Sequence, residues 1–456
     1  MNETSTTSVS STGKLISTRK LVHVSMLGFA FLLPFLTWME AAGAALLALL
    51  FNLFILPRLE IDLRKRTRDE VSPDVWTGIV IYPLSVLLLI LFYRNHMEIV
   101  AAVWAILALG DGSAGVAGVL MKGAALPWNR SKTWAGFIAF TLAGTIGAYA
   151  LMRWVAPTMP AEQIWLLAFS TALVGAAVES VPMGLDDNFA VPLIAGAFMF
   201  CTSLIQASSF WSNYPYLKTR LFFAIAVNLA FALAALGLRT ITASGAAMGF
   251  ILGVAVYLGY GFRSFAMLLL FFALGSVATR LGYKRKASRG VAEHRGGRRS
   301  WREASANLLA GSFFAILVVT TPYQGVFLLA LVAAFAEAAG DTISSEIGQW
   351  LSGRAYLITT FKPVPAGEDG GISVFGTAAG AAASAIVAGT ALALGLCGAR
   401  GAVLALGAAV LGNLFDSVLG ATLERRGLVT NGIVNFAGTS LAGAVTLILA
   451  WHGLAG

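Results

Sequence analysis

Charge is scarce in this 456-residue chain. Asp, Glu, Lys and Arg together make up 12% of it, and 58% of its residues are hydrophobic, whereas a soluble domain carries roughly 25% charge. No soluble core of this length absorbs that much apolar surface, so a soluble globular protein is excluded. Histidine is limited to His23, His96, His294 and His452, which makes a histidine-built metal centre an unpromising reading. The only cysteines, Cys201 and Cys397, sit in apolar surroundings and read as buried free thiols, not as a disulfide framework or thiolate metal site. The P-loop pattern, HExxH and CxxC are missing, and the few Gly-x-Gly matches fall inside apolar runs instead of following strands.

What the chain does have is apolar length. Its mean hydropathy is +0.79, and runs able to cross about 30 Å of hydrocarbon as helices recur throughout. A β-barrel would need alternating segments, and TGIVIYPLSVLLLILFY (77–93) does not alternate. The expected fold is an all-α, polytopic integral membrane protein of about fifteen transmembrane helices. Their centres fall near residues 30, 48, 84, 108, 143, 170, 198, 228, 250, 271, 312, 331, 384, 411 and 441. Residues 1–18 are Ser/Thr-rich and read as a disordered tail. Arg19 and Lys20 precede a first span too long for a cleavable signal peptide.

The net charge of +9 is explained by three basic loops, 58–70, 122–132 (with Lys122, Arg130 and Lys132) and 284–302, and nucleic acid is not an expected partner. Basic loops mark the cytoplasmic face, so the N-terminus is expected in the cytoplasm and the membrane to be a bacterial inner membrane. The polar stretches 179–189, 337–371 and 421–431 then fall on the same side, facing the nucleotide pool. Near residue 240 the chain divides into a domain at 19–238 and another at 239–456. Each half presents a Gly-Asp motif, GDGSAGVAG at 110 and GDTISSEIG at 340, consistent either with an internal repeat or with chance similarity between Gly/Ala-rich helices.

Carboxylates at a membrane edge cost free energy unless they are paired, hydrated or bound to cations, and are functional candidates for that reason. Asp111 lies among glycines. Gly110 and Gly115 either let a phosphate approach or form a helix interface that Asp111 caps. Lys132, beside Ser131, is placed to neutralise a transferred phosphoryl group or simply to anchor the inner face. Glu179, Asp186, Asp187 and Asn188 form an oxygen-rich group suited to Mg²⁺, though capping alone would explain one of the carboxylates.

In the second half, Glu337 and Asp341 share a helix face with Ser345 on the next turn, and Glu346 joins them only if the helix breaks. Lys362 precedes, and Glu368 and Asp369 lie within, the Gly-rich run of Gly367, Gly370 and Gly371, whose N–H groups at a helix start would suit an anion. Asp416, with Asn413 nearby, and Glu424 complete the set.

RKLVH (19–23), GIVIYPLS (78–85), GDGSAGVAG (110–118), RSKTWAG (130–136) and AVESVPMGLDDNFAVPL (177–193) together resemble the phytol kinase and dolichol kinase family over about residues 19–205. That resemblance implies nucleotide or Mg²⁺ roles for Asp111, Lys132, Glu179, Asp186, Asp187 and Asn188. One departure is Thr133-Trp134, where many relatives carry Ser or Thr, an acidic residue and Gly.

ITASGAAMG (241), AGDTISSEIG (339), KPVPAGEDGGISVFGT (362), DSVLGATLE (416) and NGIVNF (431) resemble the phytyl-phosphate kinase family over about residues 240–450. The combined resemblance implies a fusion that phosphorylates an isoprenoid alcohol to its monophosphate and then its diphosphate, with CTP or another nucleoside triphosphate as donor and Mg²⁺ as cofactor. Its catalytic residues would be Asp111, Lys132, Glu179, Asp187, Asp341 and Lys362. Nucleotide contacts would come from Gly110, Gly115, Ser131, Asn188, Gly367, Gly370 and Gly371, and metal contacts from Asp186, Asp187, Glu346 and Asp416. A CTP:lipid-phosphate cytidylyltransferase and a transporter built from broken helices are the rival readings.

Overall fold

A computed structural model describes residues 25–56, 58, 74–121, 123–182, 185–291 and 297–451. The tail 1–18, Arg19, Lys20, His23, Lys122, His294, His452 and, apart from Arg58, the basic stretch 58–70 lie outside the described residues. The chain folds as two compact units, up to Ser203 and from Leu204.

In the first unit a 3₁₀ helix, Met26–Phe35, leads into α1 (Trp38–Leu50), whose start is fixed by a capping box. Glu40 N–H donates to Thr37 Oγ1, and the Glu40 carboxylate accepts from Thr37 N–H at 2.8 Å. One π turn, Phe51–Ile55, extends this helix, and α2 (Asp74–Phe92) follows. α3 (Met97–Ala105), a π turn (Ile106–Gly110) and α4 (Asp111–Met121) make one continuous span. Then come α5 (Trp134–Val155), α6 (Ala161–Ser180) and α7 (Asp187–Ser203).

The central element is the Met97–Met121 span, 72% buried over its most apolar window, with α5, α6 and α7 around it. Small residues permit the close packing. A methyl group on Gly175 would lie 3.1 Å from both Ile106 Cγ2 and the Phe140 ring.

The second unit consists of α8 (Ala207–Gly237), α9 (Ala243–Tyr260), α10 (Phe262–Arg280), the short α11 (Tyr283–Ser288), α12 (Trp301–Thr320), α13 (Gln324–Leu351), α14 (Val374–Ala393), α15 (Ala399–Leu419) and α16 (Asn431–Trp451). A π turn, Gly420–Glu424, extends α15. α13 is the axis, 83% buried over its most apolar window and packed against α12, α14, α15 and α16. Gly340 and Gly380 let α13 and α14 meet backbone to backbone, since a methyl on Gly380 would lie 2.7 Å from Gly340 O.

The expected all-α membrane fold is what the chain forms, with two refinements. All fifteen expected centres fall in helices, but among the described residues twelve are long and apolar enough to cross a membrane. Met26–Phe35 and Asp187–Ser203 are too short, and α2 counts as an apolar span only over Ile79–Phe92. Between α13 and α14 the Gly/Pro-rich stretch also folds into a small antiparallel sheet, ordered β2-β1-β3, from β1 (Arg354–Leu357), β2 (Pro363–Pro365) and β3 (Gly371–Ile372). Ala355 pairs with Val364, and Tyr356 with Ile372. Cys201 and Cys397 are free, the first buried and the second half-buried.

The sequence division at 238/239 and the compact-unit division at 203/204 differ by one helix. α8 packs on α9 and α12 and so belongs with the second unit.

Candidate functional site

In each unit the polar residues gather where helix ends converge. In the first unit these are the starts of α4, α5 and α7 and the end of α6. The loop 123–133 folds back on itself, with Leu126 N–H donating to Lys132 O at 2.9 Å and Trp134 N–H to Ala124 O at 3.0 Å. It is latched to the end of α6: Trp128 Nε1 donates to Ser180 Oγ at 3.1 Å, and Asn129 Nδ2 to Ser180 O at 3.0 Å. That latch sets Lys132 beside the residue preceding Ser180. Lys132 Nζ donates to Glu179, which is buried, and lies 3.4 Å from Asp187 Oδ2 at the start of α7.

Burial works against the Lys132 ammonium, but Asp187 and then Glu179 outweigh it and hold its pKa above the ordinary value, with Asp111 adding to the same field. Asp111 opens α4 directly after the π turn, so an irregularity in the helix coincides with the carboxylate.

The structure thus brings Lys132, Glu179 and Asp187 into one cluster. Asp186 is used differently: its Oδ1 accepts from Asn188 N–H at 2.9 Å and from Asn188 Nδ2 at 2.7 Å, the arrangement of a capping carboxylate. Ser131 turns to Asn129, donating from Oγ to Asn129 Oδ1 at 2.7 Å, and is exposed. Gly110 is packed under Phe140, whose ring would lie 2.7 Å from an added methyl, and Gly115 lies within α4.

In the second unit the converging ends enclose a polar cavity of about 1030 Å³. Asp341 and Ser345 of α13, Asp416 of α15, Glu424 of the π turn and the loop residues Glu368 and Asp369 line it, with Gly367, Gly370 and Gly371. Arg298, Arg299 and Arg302 supply positive charge. The loop is seated by close backbone contact: a methyl on Gly420 would lie 2.8 Å from Gly370 N, and Gly370 adopts φ +70°, which favours glycine. Arg425 reaches Glu368 at 3.4 Å. Burial first, and Glu368 second, raise the pKa of Asp369, with Arg425 opposing.

Three residues of the sequence reading are engaged or placed differently from the rest, although Glu346 also borders the cavity. α13 is unbroken, and the Glu346 carboxylate accepts from the fully buried Lys286, whose Nζ also donates to Ala278 O at 3.1 Å and Thr279 O at 3.0 Å at the end of α10. Lys362 is exposed on the turn between β1 and β2, outside the cavity lining. Glu337 lies one turn deeper than Asp341, and neither of its carboxylate oxygens has a hydrogen-bond partner among the described residues.

The sequence reading missed Lys286, Arg299 and the Trp128–Ser180 latch. Both basic residues were absorbed into a loop read only as a topology signal, and nothing marks Ser180 in sequence as an anchor.

Comparison with known proteins places these sites in context. The profile described as Integral membrane protein DUF92 matches residues 226–444, all within the second unit. The uncharacterized membrane protein sll0875 of Synechocystis sp. is 34% identical over 212 residues, 46% of this chain and 82% of that protein. The chain belongs to the DUF92 integral membrane family.

Among other relatives of this DUF92 chain, Protein VTE6 of Arabidopsis thaliana is 34% identical over 216 residues, 46% of this chain and 65% of that protein. Probable phytol kinase 2 of Oryza sativa subsp. japonica is 29% identical over 201 residues, 40% of this chain and 66% of that protein. The DUF92 chain therefore spans just under two thirds of each of these two relatives. No solved structure gives a significant match.

Proposed function

We propose that this chain is a membrane-embedded kinase that phosphorylates a long-chain isoprenoid alcohol, first to the monophosphate in the unit ending at Ser203 and then to the diphosphate in the unit from Leu204. The observation that carries the reading is Lys132 held between Glu179 and Asp187, together with a relative named as a probable phytol kinase.

Phosphoryl transfer needs positioning and charge neutralisation more than covalent chemistry from the protein. A lysine kept cationic by two carboxylates suits the neutralising task. Asp187 lies within reach of the same nitrogen, so a substrate hydroxyl or a hydrated cation bound there would be oriented by a carboxylate already paired on one side.

Mg²⁺ needs only one or two carboxylates, completing its shell with waters and phosphate oxygens. The residues present fit such a hydrated ion. Among the described residues no three acidic, His or Cys groups converge as a closed chelate, but Asp416 Oδ2 in the cavity wall has no hydrogen-bond partner. Asp187 in the first unit, and Asp341 and Asp416 in the second, are the residues that would hold it. When bound, it would offset the charge of the nucleotide's phosphates. The arginines of the cavity and the Gly367–Gly371 loop would hold the phosphates of nucleotide and lipid. In this reading both sites face the cytoplasm, where the nucleotide is supplied.

The deciding assay uses membranes containing this protein, labelled geranylgeraniol or phytol, and CTP, ATP, GTP or UTP in parallel. Mono- and then diphosphate with release of nucleoside diphosphate is the expected result, CTP being the expected donor. Release of pyrophosphate would identify a cytidylyltransferase instead. Uptake into proteoliposomes without nucleotide turnover would identify a transporter.

A further inference from the structure

Beside the polar cavity of the second unit runs a narrow apolar cleft between α8, α9, α10 and α12, lined by Phe231, Gly249, Phe250, Leu268, Phe271 and Phe272 among others. Arg299 and Glu303 line both spaces. Arg299 is fixed at that boundary: its N–H donates to Thr240 O at 3.1 Å, and its carbonyl accepts from Thr242 N–H at 3.0 Å. Its guanidinium lies over the Phe271 and Phe272 rings at 5.2 and 5.9 Å. Glu303 is held too, accepting from Ser300 N–H at 2.6 Å as the partner of a capping box. The second unit therefore joins a charged chamber to a greasy slot through a cation, the complement of a molecule with an anionic head and a hydrocarbon tail.

We propose that this cleft binds the head-proximal isoprene unit of a prenyl monophosphate, with the phosphate in the polar cavity beside Arg299. The assignment rests on the reading of the second unit as the site of the second phosphorylation. Size sets how much of the chain the slot takes. Only about 50 Å³ of it is open to the centres of water-sized groups, so it takes a short segment at the head end and not a whole tail, whose remainder runs on into lipid. Gly249 provides room at the side: a methyl added there meets no atom within 4 Å. A branched chain can place its methyl in this space, whereas a straight acyl chain leaves it unfilled, so the cleft selects prenyl over fatty-alcohol phosphates.

The same glycine makes the test clean, because Gly249→Ala and Gly249→Leu fill the slot without a clash at Cβ. Binding of labelled geranylgeranyl monophosphate to the full chain in detergent is measured separately from its turnover with CTP. A straight-chain monophosphate of equal length serves as comparison, and thermal unfolding reports folding. The expected result is affinity falling stepwise through Ala to Leu, by roughly tenfold or more at Leu, with the straight-chain compound binding more weakly to the wild type. Should Leu prevent folding, Ala alone must still weaken prenyl binding and spare the straight-chain compound. Unchanged prenyl binding in the variants, or equal binding of the straight chain by the wild type, overturns the cleft assignment even if diphosphate forms. Binding that the variants weaken, in a wild type that forms no diphosphate, overturns the kinase reading and leaves the cleft standing.

Discussion

Lys132 and Glu179 form an ion pair across 47 residues of sequence, and Asp187 approaches the same lysine nitrogen at 3.4 Å. The pair exists because the loop before α5 is latched by Trp128 and Asn129 to Ser180, the last residue of α6. If the lysine neutralises a transferred phosphoryl group, Lys132→Ala lowers the rate of alcohol phosphorylation by about 10²–10³-fold, the scale of losing one charge-stabilising donor. The check is the initial rate of monophosphate formation with saturating nucleotide. A loss confined to KM for the alcohol would speak against the assigned role.

Lys286 is a structural cation. It is fully buried, pairs with Glu346 and donates to two carbonyls at the end of α10. Lys286→Met strands a buried carboxylate and destabilises the protein by about 3–5 kcal/mol, and Lys286→Met with Glu346→Gln recovers part of that loss. Thermal unfolding in detergent distinguishes the two variants.

Glu337 occupies space that glycines leave open. A methyl on Gly438 would lie 2.5 Å from Glu337 Oε1, and one on Gly412 would lie 2.7 Å from its Cγ. Gly438→Ala is therefore overpacked and costs about 1–3 kcal/mol. Gly438→Ala combined with Glu337→Ala relieves the crowding, which the melting temperatures of the single and double variants will show.

The Lys132 pKa is raised above its ordinary value of 10.5, since Asp187 and Glu179 outweigh burial. A raised lysine contributes stability that is complete below the unfolded pKa and is lost only as pH climbs through the folded one. The first step should therefore show no loss through Lys132 between about pH 7 and about pH 9. A pH–rate profile of wild type beside Lys132→Arg checks this, and an alkaline fall in that window abolished by arginine would contradict it.

The membrane class and the positions of all fifteen helices were legible because apolar length is a local property of sequence. Glu179 and Asp187 could be singled out for the same reason, as carboxylates beside apolar runs. What could not be read depended on contacts between distant segments. The π turns at Ile106–Gly110 and Gly420–Glu424 have no proline to announce them. The β1–β2–β3 sheet uses strands of four, three and two residues, too short for a periodic signal. Gly110 reads in sequence as either an opening for phosphate or a helix interface, and only the fold shows that it accommodates Phe140. Glu346 and Lys362 sit beside candidate motifs in sequence, but Lys286 engages the one and the other is exposed away from the cavity.

The central claim is that acidic side chains at the converging helix ends serve two successive phosphorylations, and product analysis of two variants tests it most directly. With labelled geranylgeraniol and CTP, Asp187→Ala should yield neither phosphate, while Asp341→Ala should accumulate monophosphate. If both variants, folded and inserted, give the wild-type ratio of mono- to diphosphate, these carboxylates do not carry the chemistry and the account is wrong.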